Sequence, residues 1–180
     1  VGTGHQRIGI PADWTDYTLE GKFQYPKFGD WDESHLYVRW QDEANNYYFR
    51  TIKRNNAGDK NFWSIEWLRK VASADNEGDI TDDKNVVGGL KEKTIYGLRG
   101  KIEKQTLTVE FFNGKDWLPA GSVTYPGTFT KGGIGVARSS CQVAWQYIKV
   151  NGAGIPADSI SVESLGKLAT NWGSIKSLRW

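Results

Sequence analysis

YVRWQDEANNYYFR, residues 37–50, places five aromatic rings and two arginines around an Asp-Glu-Ala-Asn-Asn core. Short Asp and Asn side chains hydrogen-bond the nearby backbone, so Asp42 to Asn46 reads as a turn. The runs on either side, Leu36 to Gln41 and Tyr47 to Arg54, are rich in aromatic and β-branched residues and too short for an ordinary helix. The stretch is a β-hairpin first, and whether it also binds anything depends on which side chains face outward.

The hairpin is one of a series. Similar runs at Tyr17 to Tyr25, Phe62 to Lys70, Thr94 to Glu103, Thr106 to Phe112, Gly133 to Arg138 and Val143 to Val150 are separated by turn chemistry. In FFNGKDW, Asn113-Gly114 suits a two-residue type I′ turn, which needs positive φ angles. Many short strands with no helical period between them predict an all-β fold of antiparallel sheets, a sandwich or barrel. Alternation then assigns faces. Leu36, Val38 and Trp40 belong to the core, opposite Tyr37, Arg39 and Gln41; Trp63, Ile65 and Trp67 oppose Ser64, Glu66 and Leu68. Leu107, Val109 and Phe111 likewise oppose Thr108, Glu110 and Phe112.

Composition narrows the function. With 180 residues the chain can bury roughly two thirds of its unfolded surface in one domain. Its 23 basic and 21 acidic side chains give no overall field of the kind that draws proteins to nucleic acid. A single cysteine, Cys141, excludes an internal disulfide, and no CxxC or Cys/His cluster offers a zinc site. No apolar run approaches the roughly twenty residues that span a bilayer. The chain begins at Val1 without a signal-peptide pattern, which suggests a processed product or a piece of something longer. Nine Trp, eight Tyr and seven Phe exceed what a core usually requires and suit a protein that presents flat apolar faces to a ligand. A sandwich core rich in Trp and Tyr would use the same composition.

Two segments break the strand rhythm. Between Val71 and Leu90 lie Asp75, Glu77, Asp79, Asp82 and Asp83, hard oxygen ligands of the kind calcium takes, but their spacing does not match an EF-hand loop. A solvated acidic loop is the expectation. After Val150, a Gly/Pro-containing connector leads to Leu165, Leu168, Trp172 and Ile175, spaced as on a short amphipathic helix. Gly166 and Gly173 weaken that helix by about 1 kcal/mol each relative to alanine. Residues 1–152 are therefore expected to form the domain, and 153–180 a tail packed on it or a linker to another module.

Taken in order, DWTDYTLEGKFQY, YVRWQDEANNYYFRTIKR, TLTVEFFNGKDW, GGIGVA and AWQYIKVNG resemble the concanavalin A-like lectin/glucanase superfamily, specifically its laminin-G-like branch. The resemblance spans about residues 10 to 152 and implies a jelly roll of two antiparallel sheets, one concave, whose concave face or rim commonly binds carbohydrate outside the cell. Glucanases of this fold resemble an E-x-D-x-x-E strand that sets two carboxylates about 5 Å apart, and no such run is present. Glu66 and Glu110 are lone acids on separate strands. The lyase-like pattern is approached only by His35 with Tyr37 and Arg39. Relatives often place a calcium-holding aspartate in the last strand; the matching position is Gln146, a poorer ligand for a hard cation, so no cofactor is expected and a structural calcium, while possible, is not supported.

Sugars offer flat C–H faces and hydroxyl rims, so aromatic rings and planar hydrogen-bonding groups hold them. The candidate carbohydrate-binding residues are Tyr37, Arg39, Gln41, Tyr48, Arg50 and Glu66 on outward faces, Arg99 and Trp145 (with Tyr147) from other strands, and Trp31 as a rim platform in FGDWDESH. If the ligand carries carboxylate or sulfate, Arg39, Arg50 and Arg99 could grip it bidentately. Arg39 and Arg50 could instead pair with Glu66 and Glu110 across strands. The expected function is non-catalytic binding of a polysaccharide or oligosaccharide by a secreted module, one part of a larger polysaccharide-active or adhesive protein. The alternatives are a polysaccharide lyase or glycoside hydrolase, and a protein-interaction module of laminin-G type.

Overall fold

The computed structural model describes residues 6–29, 32–56, 59–76, 89–139 and 142–155. Among them, eleven strands form two antiparallel sheets: β1 (Gln6–Ile10), β2 (Tyr17–Gln24), β3 (Glu33–Asp42), β4 (Asn45–Asn56), β5 (Asp59–Val71), β6 (Ala74–Asn76), β7 (Ile95–Glu103), β8 (Thr106–Phe112), β9 (Trp117–Thr124), β10 (Gly133–Ser139) and β11 (Ala144–Gly152). One sheet runs β1-β10-β3-β4-β5-β6 and the other β11-β2-β7-β8-β9. The all-β sandwich expected from the sequence is the observed architecture. No helix long and apolar enough to cross a membrane occurs among the described residues.

The two sheets enclose a core of Leu19, Phe23, Leu36, Val38, Phe49, Trp63, Leu98, Ile102, Leu107 and Phe111, each at most 4 % exposed. Alternation therefore assigned β5 and β8 correctly, and β3 as far as Val38. The turn of the opening hairpin is also as expected: Asp42 Oδ1 accepts from the Ala44 amide at 2.7 Å and from Asn45 Nδ2 at 3.0 Å. These two contacts, the Asn45 side chain first, hold the Asp42 carboxyl below the ordinary carboxylate range.

The β8–β9 connection departs from the expected two-residue turn. β8 ends at Phe112 and β9 starts at Trp117, so residues 113–116 form the loop. Asn113 Oδ1 accepts from the Lys115 and Asp116 amides, both at 2.9 Å, and only Gly114 adopts positive φ, at 103°. The asparagine builds the loop with its side chain rather than with a left-handed backbone.

The larger departure lies in β3. Along β10, Ile134 opposes Val38 and Gly133 opposes Trp40, so Arg39 is an extra residue with φ of 54°. One bulged residue reverses every face beyond it. Arg39, expected outward, turns between the sheets and is fully buried; Trp40, expected in the core, turns outward against Tyr37. Tyr17 of the facing sheet satisfies the displaced backbone, its hydroxyl donating to Gly133 O and accepting from the Arg39 amide, both at 2.7 Å. Burial raises the Tyr17 pKa well beyond the usual phenol range, against the opposing effect of Arg39, so the group stays a donor. Tyr17→Phe leaves both backbone groups without that partner and is expected to cost about 1–3 kcal/mol of unfolding free energy. Urea denaturation checks this, and an unchanged midpoint would rule it out.

Candidate functional site

The bulge lies beyond Val38, so Glu33, His35 and Tyr37 keep one face of β3, on the side of the sheet away from the core. Register then brings two rows together across three strands. His35 lies opposite Arg50 and Arg50 opposite Glu66; Tyr37 lies opposite Tyr48 and Tyr48 opposite Leu68.

The first row is a continuous polar network. His35 Nε2 is 2.7 Å from Glu33 Oε2, and its Nδ1 is 3.2 Å from the Tyr37 hydroxyl. Arg50 donates to Glu66 Oε2 from Nε at 3.1 Å and Nη2 at 2.8 Å, and its Nη1 is 3.4 Å from Glu33 Oε1. Ser64 Oγ donates to Glu66 Oε1 at 3.1 Å. The second row supplies rings: Tyr48 lies parallel to His35 with centroids 5.3 Å apart, and Tyr37 packs edge-on against Trp40 at 5.0 Å.

This face is withdrawn from solvent. His35, Tyr37 and Glu66 are each 2 % exposed and the Arg50 side chain 12 %. Burial opposes the Arg50 charge, but Glu33 and Glu66 together outweigh it and hold its pKa above the ordinary guanidinium value. Desolvating one cation and two carboxylates is costly unless they pair, which explains the tight geometry. Chemically the face offers carboxylate acceptors, guanidinium donors, an imidazole, a phenol and stacked rings, each fixed in place by another.

The structure thus brings together Tyr37, Tyr48, Arg50 and Glu66 of the predicted residues and disperses the rest. Arg39 is on the core side, donating from Nη1 to Trp14 O at 2.9 Å and from Nη2 to Lys104 O at 2.7 Å. The constellation of His35, Tyr37 and Arg39 is corrected accordingly: His35 and Tyr37 meet, and the arginine beside them is Arg50. Gln41 is exposed at the end of β3, its amide held by Lys131 O. Trp145 is core, edge-on to Phe23 at 5.2 Å, because β11 bulges at Gln146 and turns Trp145 inward while Tyr147 stays outward. Trp31 lies outside the described residues, as do 77–88 of the acidic segment and 156–180 of the tail.

Arg99 sits on the outward face of the other sheet. It donates to Glu20 at 2.7 Å and Glu110 at 3.0 Å and lies 4.0 Å over the Trp117 ring, with Tyr147 donating to Glu20. Glu66 and Glu110 do pair with arginines across strands, but with Arg50 and Arg99, not Arg39. Sequence reasoning missed Glu33; its signal was the spacing Glu33-x-His35-x-Tyr37, which puts three polar groups on one strand face. Among the described residues no three His, Cys, Asp or Glu side chains converge as metal ligands.

No protein-family model and no curated protein matches the sequence. Solved structures do. The chain is similar to the carbohydrate-binding module CBM66 from Bacillus subtilis at 13 % identity and a TM-score of 0.66, over 84 % of both chains. It is similar to the toad ovary galectin in complex with thio-digalactose at 14 % identity and 0.51, over 79 % of this chain and 98 % of that one. Similarity to the xylan β-1,4-xylosidase from Bacillus halodurans C-125, at 14 % identity and 0.56, covers 77 % of this chain but 28 % of the enzyme. At these identities the likeness is one of architecture, and the chain has a jelly-roll β-sandwich fold.

Proposed function

We propose that the protein is a non-catalytic carbohydrate-binding module acting outside the cell. Its sugar-binding surface is the outward side of β3, β4 and β5, which Glu33, His35, Tyr37, Tyr48, Arg50 and Glu66 build from beneath. The observation that carries this reading is the convergence of those six side chains, from three adjacent strands, into one network of planar hydrogen-bonding groups and rings. Buried ionisable groups gathered on a sheet face are costly, and such arrangements concentrate at functional sites. The fold shared with a carbohydrate-binding module and a galectin supports the reading, and the match to about a quarter of a xylosidase supports a place within a longer polysaccharide-active protein.

The test is a glycan array followed by affinity gels with the wild type, His35→Ala and Arg99→Ala, each checked for folding by near-UV circular dichroism. Removing His35 deletes the bridge between Glu33 and Tyr37 and is expected to weaken retention about tenfold or more, equivalent to at least about 1.4 kcal/mol. Arg99→Ala, on the opposite sheet, is expected to leave it within about twofold. A folded wild type that retains no glycan overturns the proposal, and release of new reducing ends overturns its non-catalytic part.

A further inference from the structure

We propose, resting on the sugar-binding reading above, that residues 156–180 of this chain cover the outward side of β3, β4 and β5, so that glycan and the chain's own C-terminal segment compete for one surface. The observation is a difference between the two sheets. Each presents one face to the shared core and one face away from it. On the five-stranded sheet the outward groups are partly open, with the Arg99 side chain 29 % and the Glu110 side chain 36 % exposed. On the six-stranded sheet the outward Tyr37, Trp40, Tyr48, Leu68 and Ala137 form a separate apolar cluster, none more than 5 % exposed. Neighbours on one sheet face shield each other's flanks, but side chains stand roughly perpendicular to the sheet and keep their tips open. A further layer therefore lies over this face, and the burial arises within a single chain. Glu33, His35, Tyr37, Tyr48 and Glu66 accordingly have further partners besides one another.

The described residues build two layers, so the cover comes from outside them, and two segments are long enough to supply it, 77–88 and 156–180. The first carries Glu77, Asp79, Asp82 and Asp83 against Lys84. Set over Glu33 and Glu66, which share the one cation Arg50, it would bring like charge to like charge. The second carries Lys167, Lys176 and Arg179 against Asp158 and Glu163, the complementary sign. Its Leu165, Leu168, Trp172 and Ile175 recur at helical spacing, an apolar stripe to match the cluster of Tyr37, Trp40, Tyr48 and Leu68. Reach is sufficient. The Tyr17 hydroxyl of β2 meets Gly133 of β10, and a Cβ at Gly100 of β7 would meet Phe49 of β4, so β11 stands at the β1 margin of the sandwich. From that margin around to β5 is roughly 30 Å at the usual spacing of sheets and strands. Residues 156–180 extend about 37 Å even as a helix.

The experiment is hydroxyl-radical footprinting of the full chain, read by mass spectrometry, alongside glycan affinity gels, for wild type, Leu168→Asp/Trp172→Asp and Val86→Asp/Val87→Asp. The change at Leu168 and Trp172 is expected to raise oxidation of Tyr37, Trp40 and Tyr48 about threefold or more and to tighten glycan retention about fivefold, because the open fraction of the face grows. The change at Val86 and Val87 is expected to leave both within about twofold. In wild type, Trp172 is expected to oxidise several-fold more slowly than in urea, a readout that needs no variant to fold. Exposure of the face by the Val86/Val87 change, or by neither change, overturns the assignment of the cover, as does a wild-type Trp172 that oxidises at its urea rate. Exposure by the Leu168/Trp172 change without tighter retention of a glycan that wild type binds overturns the competition and moves the sugar elsewhere. No retention of any glycan by any of the three overturns the sugar-binding reading itself, while the footprint still decides what covers the face.

Discussion

Arg39→Ala is expected to be the most damaging single truncation in the sandwich, lowering unfolding free energy by about 3–5 kcal/mol and melting by roughly 6–20 °C. The side chain is fully buried and ties three distant pieces of chain together. Its two Nη atoms satisfy the carbonyls of Trp14, ahead of β2, and Lys104, in the β7–β8 turn. Truncation strands both carbonyls and leaves a void the size of a guanidinium. Burial already lowers the guanidinium pKa, but arginine remains charged, so the wild type keeps the donors it needs. Arg39→Gly provides an internal control. It removes the same contacts but relieves the φ of 54° at a non-glycine residue, and should be about 1 kcal/mol less damaging than Arg39→Ala. Thermal and urea unfolding measure both, and an Arg39→Ala midpoint within error of wild type would sink the argument. The side chain points away from the outward face, so the folded fraction of either variant should still bind glycan.

Arg39 also marks where the sequence stops being legible. Period-two alternation holds along a strand only while no residue is inserted, and it placed the cores of β5 and β8 correctly for that reason. The bulges at Arg39 and Gln146 are single insertions with no composition of their own, and each sent one predicted site residue, Arg39 or Trp145, to the core. A signal did exist for the first. Gly132 and Gly133 lead into the strand opposite, and a Cβ at Gly132 would come within 2.5 Å of the Arg39 backbone, so paired glycines there reflect close approach. Trp40 left a similar trace: a Cβ at Gly9 would fall 1.9 Å from its indole, which needs that glycine in β1 as a floor. Strands β1, β6 and β9 went unread because they lie toward the sheet margins. β9 in particular, WLPAGSVT, carries a proline that an edge tolerates and has four of its eight residues exposed and none buried. Tyr37, Tyr48, Arg50 and Glu66 were recoverable because they sit between the bulges, where counting by two still works.

Stability and binding should come apart at the Arg50–Glu66 pair. Arg50→Met leaves Glu33 and Glu66 without the cation that lies between them, and removing one partner of a buried ion pair costs about 3–5 kcal/mol. Adding Glu66→Leu removes the carboxylate that Arg50 contacts most closely and sets an apolar side chain beside Leu68 and Tyr48. Replacing a buried pair by apolar residues of similar volume is often neutral, so the double variant should recover all but about 1–2 kcal/mol. The shortfall remains because Glu33 keeps its charge, held then by His35 at 2.7 Å. A double-mutant cycle in urea should therefore give a coupling energy of at least about 1–4 kcal/mol, larger by whatever Glu66→Leu costs alone. Glycan retention should follow a different pattern: both variants lose it, since the recovered core is apolar where a sugar needs donors and acceptors. A double variant that regained stability and glycan retention together would make the pair a purely architectural feature of the six-stranded sheet and move the sugar to another surface. With the Arg99 fork on the opposite sheet as the next polar cluster, its loss of function on Arg99→Ala would then become the expected result.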